Sequence, residues 1–450
     1  MKYKKSIFNT IVEELDDGRK LIYNTYSSVF GIMDKKTQEL YESIDSYNLS
    51  TVEDKDTMNN IETMSKAGYI VDLEKDEMAT LKVERQIVRY NSRALLLTIA
   101  PTMDCNMCCP YCYEDNKDVV MNKEVQDKLV DFVKMQLDAN KNLTALRIAW
   151  FGGEPLMQKE IIYDLSQRFI NVCKERNIQY GASMITNGSL LDVKTAKRLK
   201  EECMLTYAQV TIDGMKETHN KRRVLINGED SFEIIIRNIE ACKDILPVTI
   251  RINVDRDNYS EIDSLSKYFW EEKGWKDSPS FYLALVEDNF DVHDSASASF
   301  LQNEEFSKIN MKCIEASYSV NKELVAHMFF PTRKAIFCRG EGVSSYVVDP
   351  EGFFFNCLRQ IGKREFSTGH VNKPFQINLE YGKWLLSDLS EKCEKCVYLP
   401  ICMSSCGLHR VPTGGEAKCM HPTYIYKPLL KLAYQDYLVQ KSMPETAAGN

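Results

Sequence analysis

The sequence predicts an α/β protein with a partial (β/α)6 barrel, preceded by a small mixed module and followed by a cysteine-rich region. Between about residues 95 and 286, short apolar runs alternate with longer amphipathic stretches, which is the pattern of repeated βα units on a parallel sheet. Residues 1 to about 90 lack this alternation. Beyond residue 330 the periodicity fades while Gly, Pro and Cys become more frequent. We therefore expect three domains, over residues 1–90, 91–310 and 311–450.

Six strands are predicted for the barrel: Leu95–Ala100, Leu146–Phe151, Tyr180–Ile185, Tyr207–Ile212, Val248–Val254 and Phe281–Leu285. The stretches between them read as amphipathic helices, as in Lys123–Leu137, where Val125, Leu129 and Val133 share one face. Six successive units of this kind predict a TIM-like partial barrel. In such barrels ligands gather where strands end and loops begin, so the residues after each strand are the candidates for a site.

The first ninety residues predict a separate small module of mixed strands and helices. Its elements are the strands Ser6–Ile11 and Lys20–Asn24, helices near Lys35–Ile44 and Asp56–Ala67, and a short extended segment, Tyr69–Val71. Gly68 stands where a helix C-cap is expected. Such a module either docks a peptide or caps the open bottom of the barrel. The last segment, which ends in a predicted helix, is expected to depend on bound metal for its fold.

The composition excludes several classes of protein. The 450 residues carry a formal charge of −8, with 44% hydrophobic and 27% charged residues, which is typical of a folded, soluble chain. There is neither an apolar run of about 18 to 20 residues nor a secretory signal, so we expect a cytoplasmic protein without a membrane partner. The acidic balance argues against nucleic acid as a partner. The 15 cysteines favour metal ligation over a disulfide framework in a chain of this length.

The first cysteine group follows the first predicted strand. Cys105, Cys109 and Cys112 have the spacing C-x3-C-x2-C. Three thiolates from one short loop suit a [4Fe–4S] cluster that keeps one iron free of protein ligands, whereas a closed structural zinc site needs four. At the cysteine frequency of this chain the pattern arises by chance roughly once in sixty such sequences, so its specificity is moderate until the barrel is considered.

With Tyr111 inside it and a six-unit barrel around it, this motif resembles that of the radical S-adenosylmethionine (SAM) superfamily. The resemblance implies that Cys105, Cys109 and Cys112 hold a [4Fe–4S] cluster whose free iron chelates SAM. Cys108 has no counterpart in the family pattern and is interpreted as an accidental neighbour.

The ends of the following strands extend the resemblance. Strand two ends in Gly152-Gly153-Glu154-Pro155, similar to the family motif that contacts the methionine amino group of SAM. Paired glycines let backbone approach a small ligand, and a carboxylate can meet an ammonium group. The resemblance thus implies a set of cofactor-binding residues: Tyr111, Gly152, Gly153, Glu154, Thr186, Asn187, Asp213, Arg251 and Asn253.

Seven further cysteines lie beyond residue 337, and their spacing resembles that of the SPASM domain, which binds two auxiliary iron–sulfur clusters. A zinc ribbon is the alternative, because C-x2-C occurs in both. The resemblance implies three [4Fe–4S] clusters in all, with auxiliary cluster II held by Cys393, Cys396, Cys402 and Cys419, and auxiliary cluster I held by Cys338, Cys357 and Cys406. The scattered Cys173, Cys203, Cys242 and Cys313 are predicted to be buried small hydrophobes, although Cys313 could complete the three-cysteine set.

The resemblance implies that the chain cleaves SAM to a 5′-deoxyadenosyl radical, which abstracts hydrogen from a ribosomally made precursor peptide. Peptide-modifying relatives carry a small winged-helix-like element that captures the leader of the precursor, so the resemblance also implies a winged-helix-like, leader-binding module over residues 1–90. The implied partners are a Cys-containing peptide or protein and an electron donor such as flavodoxin or ferredoxin. An open iron in auxiliary cluster I would accept a substrate thiolate, which favours a thioether cross-link as the product. Asp213, Asp255 and Glu287, near strand ends, are weak candidates for a proton acceptor.

Two alternatives share the superfamily: an anaerobic sulfatase maturase that makes formylglycine, and a carbon–carbon peptide cyclase. A more remote alternative is a zinc-binding interaction protein without catalytic activity.

Overall fold

The computed structural model describes residues 2–46, 54–114, 117–287, 299–373, 377–412 and 414–442. The chain forms two compact units. Unit 1 comprises Met1–Arg89, Ile314–Cys338 and Ser387–Asn450, and unit 2 comprises Tyr90–Cys313 and Arg339–Leu386. The division of roles among three consecutive domains stays a prediction.

The regular elements of the described residues follow in chain order. The strands are β1 (Tyr3–Lys5), β2 (Asn9–Glu14), β3 (Lys20–Asn24), β4 (Val29–Met33), β5 (Ile70–Asp72), β6 (Ala94–Ile99), β7 (Met107–Cys108), β8 (Ala145–Trp150), β9 (Gln179–Thr186), β10 (Leu205–Thr211), β11 (Val224–Leu225), β12 (Val248–Val254), β13 (Ser280–Leu285), β14 (Ser345–Val348), β15 (Phe353–Phe355) and β16 (Gly369–His370). The helices are α1 (Lys35–Ser43), α2 (Lys55–Ala67), α3 (Glu77–Tyr90), α4 (Lys123–Ala139), α5 (Lys159–Glu175), α6 (Val193–Glu201), α7 (Lys216–Arg222), α8 (Ser231–Cys242), α9 (Ile262–Lys267), α10 (Asn303–Val320), α11 (Lys322–Phe329), α12 (Leu379–Leu386), α13 (Leu399–Cys402), α14 (Gly407–Arg410) and α15 (Tyr426–Ser442).

The central sheet of unit 2 has the strand order β13-β12-β10-β9-β8-β6-β14-β15-β16. All neighbours from β6 to β13 are parallel, which confirms the six predicted strands of the partial barrel to within two residues at their ends. β14 adds a further parallel strand beside β6, and β15 and β16 continue the sheet in antiparallel fashion. The sequence did not predict these last three strands, because none exceeds four residues and so none shows a measurable period.

The core of unit 2 lies between this sheet and its helices. Helix α4 begins after Asn122, whose side chain accepts a hydrogen bond from the backbone N–H of Val125 at 3.0 Å. Its predicted apolar face is buried, with Leu129 and Val133 fully covered. The four scattered cysteines, Cys173, Cys203, Cys242 and Cys313, are buried in the same apolar cluster, as predicted.

The N-terminal part of unit 1 contains an antiparallel sheet of order β2-β3-β4 and a separate pair, β1 with β5. The predicted strand Ser6–Ile11 is wrong at its start, because β2 begins only at Asn9. Glu77 accepts hydrogen bonds from the Ser6 hydroxyl and the Ile7 backbone N–H, which hold these residues outside the strand. Helix α2 ends at Gly68, whose φ of +81° is left-handed, as the predicted C-cap requires.

The C-terminal helix α15 packs within unit 1 and confirms the helix predicted there. Leu430 and Tyr434 join an apolar cluster with Val12 and Leu21 of the N-terminal sheet, and Lys431 pairs with Glu13 at 2.7 Å. Among the helices of the described residues, none combines the length and apolar character needed to cross a bilayer.

Candidate iron–sulfur and cofactor site

The cysteine loop, defined here as residues 100–114, follows β6 in unit 2. Cys105, Cys109 and Cys112 are half-buried in it, and the backbone N–H of Cys112 donates to the carbonyl of Cys109 at 3.1 Å. Burial raises the pKa of the Cys105 and Cys112 thiols to about 12 and raises that of Cys109 as well. Thiols in this position stay protonated until a metal ion binds them, since a coordinating thiol is deprotonated by the metal.

Cys108 differs from these three cysteines. It lies in β7, which pairs with β11 so that Val224 is opposite Cys108, and its side chain is exposed. The pairing continues with a hydrogen bond from the Ile226 N–H to the Asn106 carbonyl at 3.0 Å. A role for Cys108 in strand pairing agrees with its exclusion from the ligand set, which itself stays a prediction.

Gly152 and Gly153, after β8, are required by the cysteine loop. A Cβ atom on Gly152 would lie less than 3.0 Å from the carbonyl oxygen of Thr102, and one on Gly153 would lie equally close to that of Asp104. The loop is also hydrogen-bonded there, because the N–H of Glu154 donates to the Asp104 carbonyl at 2.9 Å. The paired glycines therefore allow the close approach of the loop backbone to the end of β8.

Glu154 is fully buried and joins the ends of two strands. One carboxylate oxygen accepts hydrogen bonds from the Leu156 N–H at 3.0 Å and the Thr186 hydroxyl at 2.7 Å, and the other accepts from the Asn187 N–H at 2.7 Å. Burial raises the pKa of this carboxyl, and the three hydrogen bonds offset only part of that rise. The second oxygen, with a single donor, retains a lone pair with which it can meet a cationic group such as an ammonium.

Asn187 connects the end of β9 to the cysteine loop. Its side-chain amide donates to the Asn106 side chain at 2.8 Å and lies 4.0 Å from the Cys105 sulfur. The structure thus brings together the residues predicted at the ends of the first three barrel strands.

A second group of predicted residues meets at the ends of β10 and β12. Asp213 is fully buried, accepts a hydrogen bond from the Asn253 N–H at 2.8 Å, and is hydrogen-bonded by the Tyr111 hydroxyl. Asn253 also donates to Tyr111 at 3.3 Å and accepts from Arg251 at 2.7 Å. The Tyr111 side chain is therefore engaged with protein groups, and it ties the loop to these two strand ends.

The three candidate proton acceptors all have strong partners. Asp255 is buried and binds Arg222 at 2.7 and 2.9 Å, and Glu287 pairs with Arg359 at 2.8 Å. Asp213 accepts the two hydrogen bonds described above. Each of the three carboxylates is thus engaged by a hydrogen-bond donor or a cation of the chain.

Sequence reasoning missed the basic residues of this site, Arg222, Arg223 and Arg359, and the buried His219. The first two lie at the end of α7, just after the fourth barrel strand. Inspection of the whole connection after that strand, rather than of Asp213 alone, would have found them.

The cysteines assigned to auxiliary cluster II lie in unit 1. Burial raises the pKa of Cys396 and raises that of Cys402 to about 11. The nearby Cys393 and Cys419 add to the rise in the pKa of Cys396. Between Cys402 and Cys406 the backbone of Met403, Ser404 and Ser405 is left-handed, with φ of 52°, 60° and 66°. Three consecutive non-glycine residues in this conformation form a costly turn.

The cysteines assigned to auxiliary cluster I fall in both units, Cys338 and Cys406 in unit 1 and Cys357 in unit 2. This set stays a prediction. Across the described residues, no three or more His, Cys, Asp or Glu side chains are arranged so that they could hold a metal ion. The three half-buried thiols of the cysteine loop nevertheless match the donor type of an iron–sulfur cluster with one open iron, whereas the cysteines of unit 1 stay a predicted ligand set.

Comparison with known proteins identifies the barrel. The sequence profile of the Radical SAM superfamily matches residues 99–269. Fe-coproporphyrin III synthase of Methanosarcina barkeri is 28% identical over 173 residues, which cover 38% of this chain and 40% of that protein. A cysteine-type anaerobic sulfatase-maturating enzyme of Clostridium novyi is 24% identical over 383 residues, which cover 76% of this chain and 97% of the enzyme.

Two solved structures share the fold. Native anSMEcpe with bound AdoMet has a TM-score of 0.60 and 20% identity, covering 77% of this chain and 98% of its own. SuiB of Streptococcus suis, bound to the precursor peptide SuiA, has a TM-score of 0.51 and 13% identity, covering 92% of this chain and 99% of its own.

The matched residues 99–269 contain the cysteine loop, the paired glycines, Glu154 and the network around Asp213. The superfamily match supports one [4Fe–4S] cluster and SAM as cofactors, and the count of three clusters stays a prediction. This chain therefore contains a radical SAM domain, on the fold shared by anSMEcpe and SuiB.

Proposed function

We propose that this chain is a radical SAM maturase that modifies a ribosomally made, Cys-containing precursor peptide by forming cysteine-to-carbon thioether cross-links. When bound, the iron–sulfur cluster and SAM supply the radical chemistry that removes hydrogen from an unactivated carbon. The residues of the chain hold and orient these groups. Cys105, Cys109 and Cys112 are the proposed cluster ligands, and the buried Glu154 is the proposed partner of the SAM amino group.

The observation that supports a peptide substrate is the share of this chain that aligns with peptide-modifying proteins of the same fold. The sulfatase-maturating enzyme aligns with 76% of this chain, while SuiB covers 92% of it. Most of the residues that have no counterpart in the sulfatase-maturating enzyme therefore have one in SuiB, whose structure holds a precursor peptide. The antiparallel β2-β3-β4 sheet of unit 1 offers edge strands to which a peptide can add in extended form. We infer that this module binds the leader of the precursor.

A second candidate is a maturase that oxidises a cysteine of a protein to formylglycine. It is favoured by the match to the sulfatase-maturating enzyme, which covers 97% of that protein. The three-cysteine set predicted from the sequence, Cys338, Cys357 and Cys406, favours thioether formation instead, because an iron without a protein ligand can take a substrate thiolate.

The mass of the modified substrate tests the proposal. A thioether removes two hydrogens for each cross-link, whereas formylglycine formation from cysteine removes two hydrogens and replaces sulfur with oxygen. The substrate tested is a Cys-containing peptide from any short open reading frame found beside the gene for this chain, incubated anaerobically with SAM and a reductant. Loss of two hydrogens, abolished when the peptide cysteines are replaced by alanine, supports the thioether, and sulfur loss refutes it.

Leader recognition has a separate test. The affinity of the full enzyme is measured for the precursor with and without its leader segment. We expect a large loss of affinity without the leader, because strand addition supplies main-chain hydrogen bonds that the core peptide lacks. Equal affinities would contradict the docking role of the module.

A further inference from the structure

Arg223 lies beside the cysteine loop, directly before β11, the strand that pairs with β7 of that loop. It stands between the end of α7 and the start of β11, and its N–H donates to the His219 carbonyl at 2.8 Å. β11 pairs with β7 inside the cysteine loop, and the Ile226 N–H extends the pairing to Asn106 at 3.0 Å. The chain from Arg223 to Ile226 therefore runs directly along the loop that carries the proposed cluster ligands.

The side chain of Arg223 links that loop to the barrel. Its guanidinium donates to the Tyr111 hydroxyl at 2.8 Å and lies 3.8 Å from the Asp213 carboxylate. Only 11% of the side chain is exposed. Because Asp213 is in turn fixed by the Asn253 N–H, Arg223 and Tyr111 fasten the loop to the ends of β10 and β12.

Arg223 places a positive charge beside the proposed ligands. An arginine stays protonated even when it is buried. Its guanidinium binds the hydroxyl of Tyr111, which lies between Cys109 and Cys112 in the cysteine loop. The neighbouring Arg222 is instead paired with Asp255 at 2.7 Å.

We propose that Arg223 is a positioning residue that docks the cysteine loop onto the strand ends and supplies a fixed positive charge to the cluster bound there. A buried cation next to a cluster favours its reduced, more negative form and so raises its reduction potential. This role concerns the radical SAM domain itself and goes beyond the proposed peptide chemistry, since it holds for any substrate.

The charge is tested by redox titration of the reconstituted full-length protein. The signal followed is the electron paramagnetic resonance of the cluster whose spectrum changes when SAM is added. We expect R223Q to shift the equilibrium between reduced and oxidised cluster about tenfold toward the oxidised form, which is 59 mV for one electron. R223K keeps the charge and should retain the potential of the unmodified protein, and R222Q should shift it less than R223Q. An unchanged potential in R223Q with full iron content would overturn the proposal.

The docking role is tested separately by hydrogen exchange in the protein as purified. R223Q, R223K and Y111F each break the link between guanidinium and hydroxyl, so amides of residues 106–112 should exchange faster in all three, with the strands of the barrel unchanged. Loop exchange as slow as in the unmodified protein would refute docking. If R223Q fails to fold, R223K and Y111F still decide the matter: both must keep the potential while loosening the loop, and a loss of potential in R223K overturns the charge role. Neither measurement uses a peptide, so failure here is distinct from failure of the proposed function.

Discussion

The two cysteine regions of this chain are built in different ways. The cysteine loop of unit 2 is positioned by regular structure, because β7 pairs with β11 and the loop backbone packs against Gly152 and Gly153. The region of Cys393 to Cys419 in unit 1 has short helical turns and the left-handed residues Met403 to Ser405. Its support is an apolar cluster in which Cys393 packs near Leu389 and Leu399.

The difference teaches that metal ligands can be positioned in two ways. In one the fold itself sets their positions, and in the other the bound metal helps to set them. Strand pairing and close backbone contacts position the first loop. In the second region the costly turn between Cys402 and Cys406 has no sheet to stabilise it, so binding energy from a cluster is the natural compensation.

The largest expected effect comes from the ligands of the first loop. Cys109→Ala should abolish the SAM-binding cluster and with it all cleavage of SAM, because a cluster with two protein thiolates is not retained. Cys108→Ala, at the exposed neighbouring position, should keep both. Iron analysis of the reconstituted protein and quantification of 5′-deoxyadenosine measure the two outcomes. Iron retained in Cys109→Ala and lost in Cys108→Ala would reverse the ligand assignment.

Removal of iron should affect amide exchange differently in the two cysteine regions. In the protein treated with a chelator, amides of residues 391–411 should exchange much faster, since the turn at Met403 to Ser405 stores roughly 3 kcal/mol of backbone cost. The barrel strands β6 and β8 should keep their protection. Ser405→Gly removes part of that cost. It should raise the free energy of local opening in the iron-free protein by about 1 kcal/mol, and amide exchange should slow accordingly. Equal loosening of both regions would show that both depend on metal.

A methyl group at the glycine contact probes the preformed loop. Gly153→Ala places a Cβ less than 3.0 Å from the Asp104 carbonyl, and backbone on both sides leaves no flexible group to yield. We expect a loss of about 3 kcal/mol in the free energy of unfolding of the iron-free protein. Gly382→Ala, in helix α12 with nothing within 4 Å, is the control and should be neutral or stabilising. Similar stabilities for the two variants would mean that the loop does not need this glycine.

The smallest expected effect is a pH dependence in the barrel. His219 is fully buried, burial lowers its pKa well below 6.5, and its ring accepts a hydrogen bond from the Asp213 N–H at 3.2 Å. The unfolded chain takes up a proton near pH 6.5 while the folded chain does not, so stability falls as the pH drops below that value. The slope is about 1.4 kcal/mol per pH unit. Urea unfolding of the iron-free protein should show it, and His219→Gln should remove it, whereas replacement of the exposed His327 should not.

The barrel could be predicted because each strand is an apolar run and each helix has an amphipathic face, and both are local signals. The same holds for the residues at strand ends, whose spacing carries the resemblance to radical SAM proteins. β4 escaped prediction because Gly31 interrupts its apolar run. The structure explains that glycine, since a Cβ there would lie less than 3.0 Å from the ring of Tyr69.

The parts of the site that escaped prediction depend on long-range contacts. Arg223 binds the hydroxyl of Tyr111, which is 112 residues earlier in the chain. Its neighbour Arg222 binds Asp255, 33 residues later. No local period marks such pairs, because the fold and not the spacing brings them together.

The position of β6 in the sheet also bears on how the protein is made. β6 leads into the cysteine loop and lies between β8 and β14, with Leu96 opposite Ser345. During synthesis one edge of β6 stays open until Ser345–Val348 has left the ribosome, and parallel pairing across so long a loop is slow. The strand that presents the cluster ligands is thus among the last of its sheet to gain both neighbours. A chain truncated before β14 would therefore leave one edge of β6 unpaired next to the cysteine loop, where a strand of another chain can add.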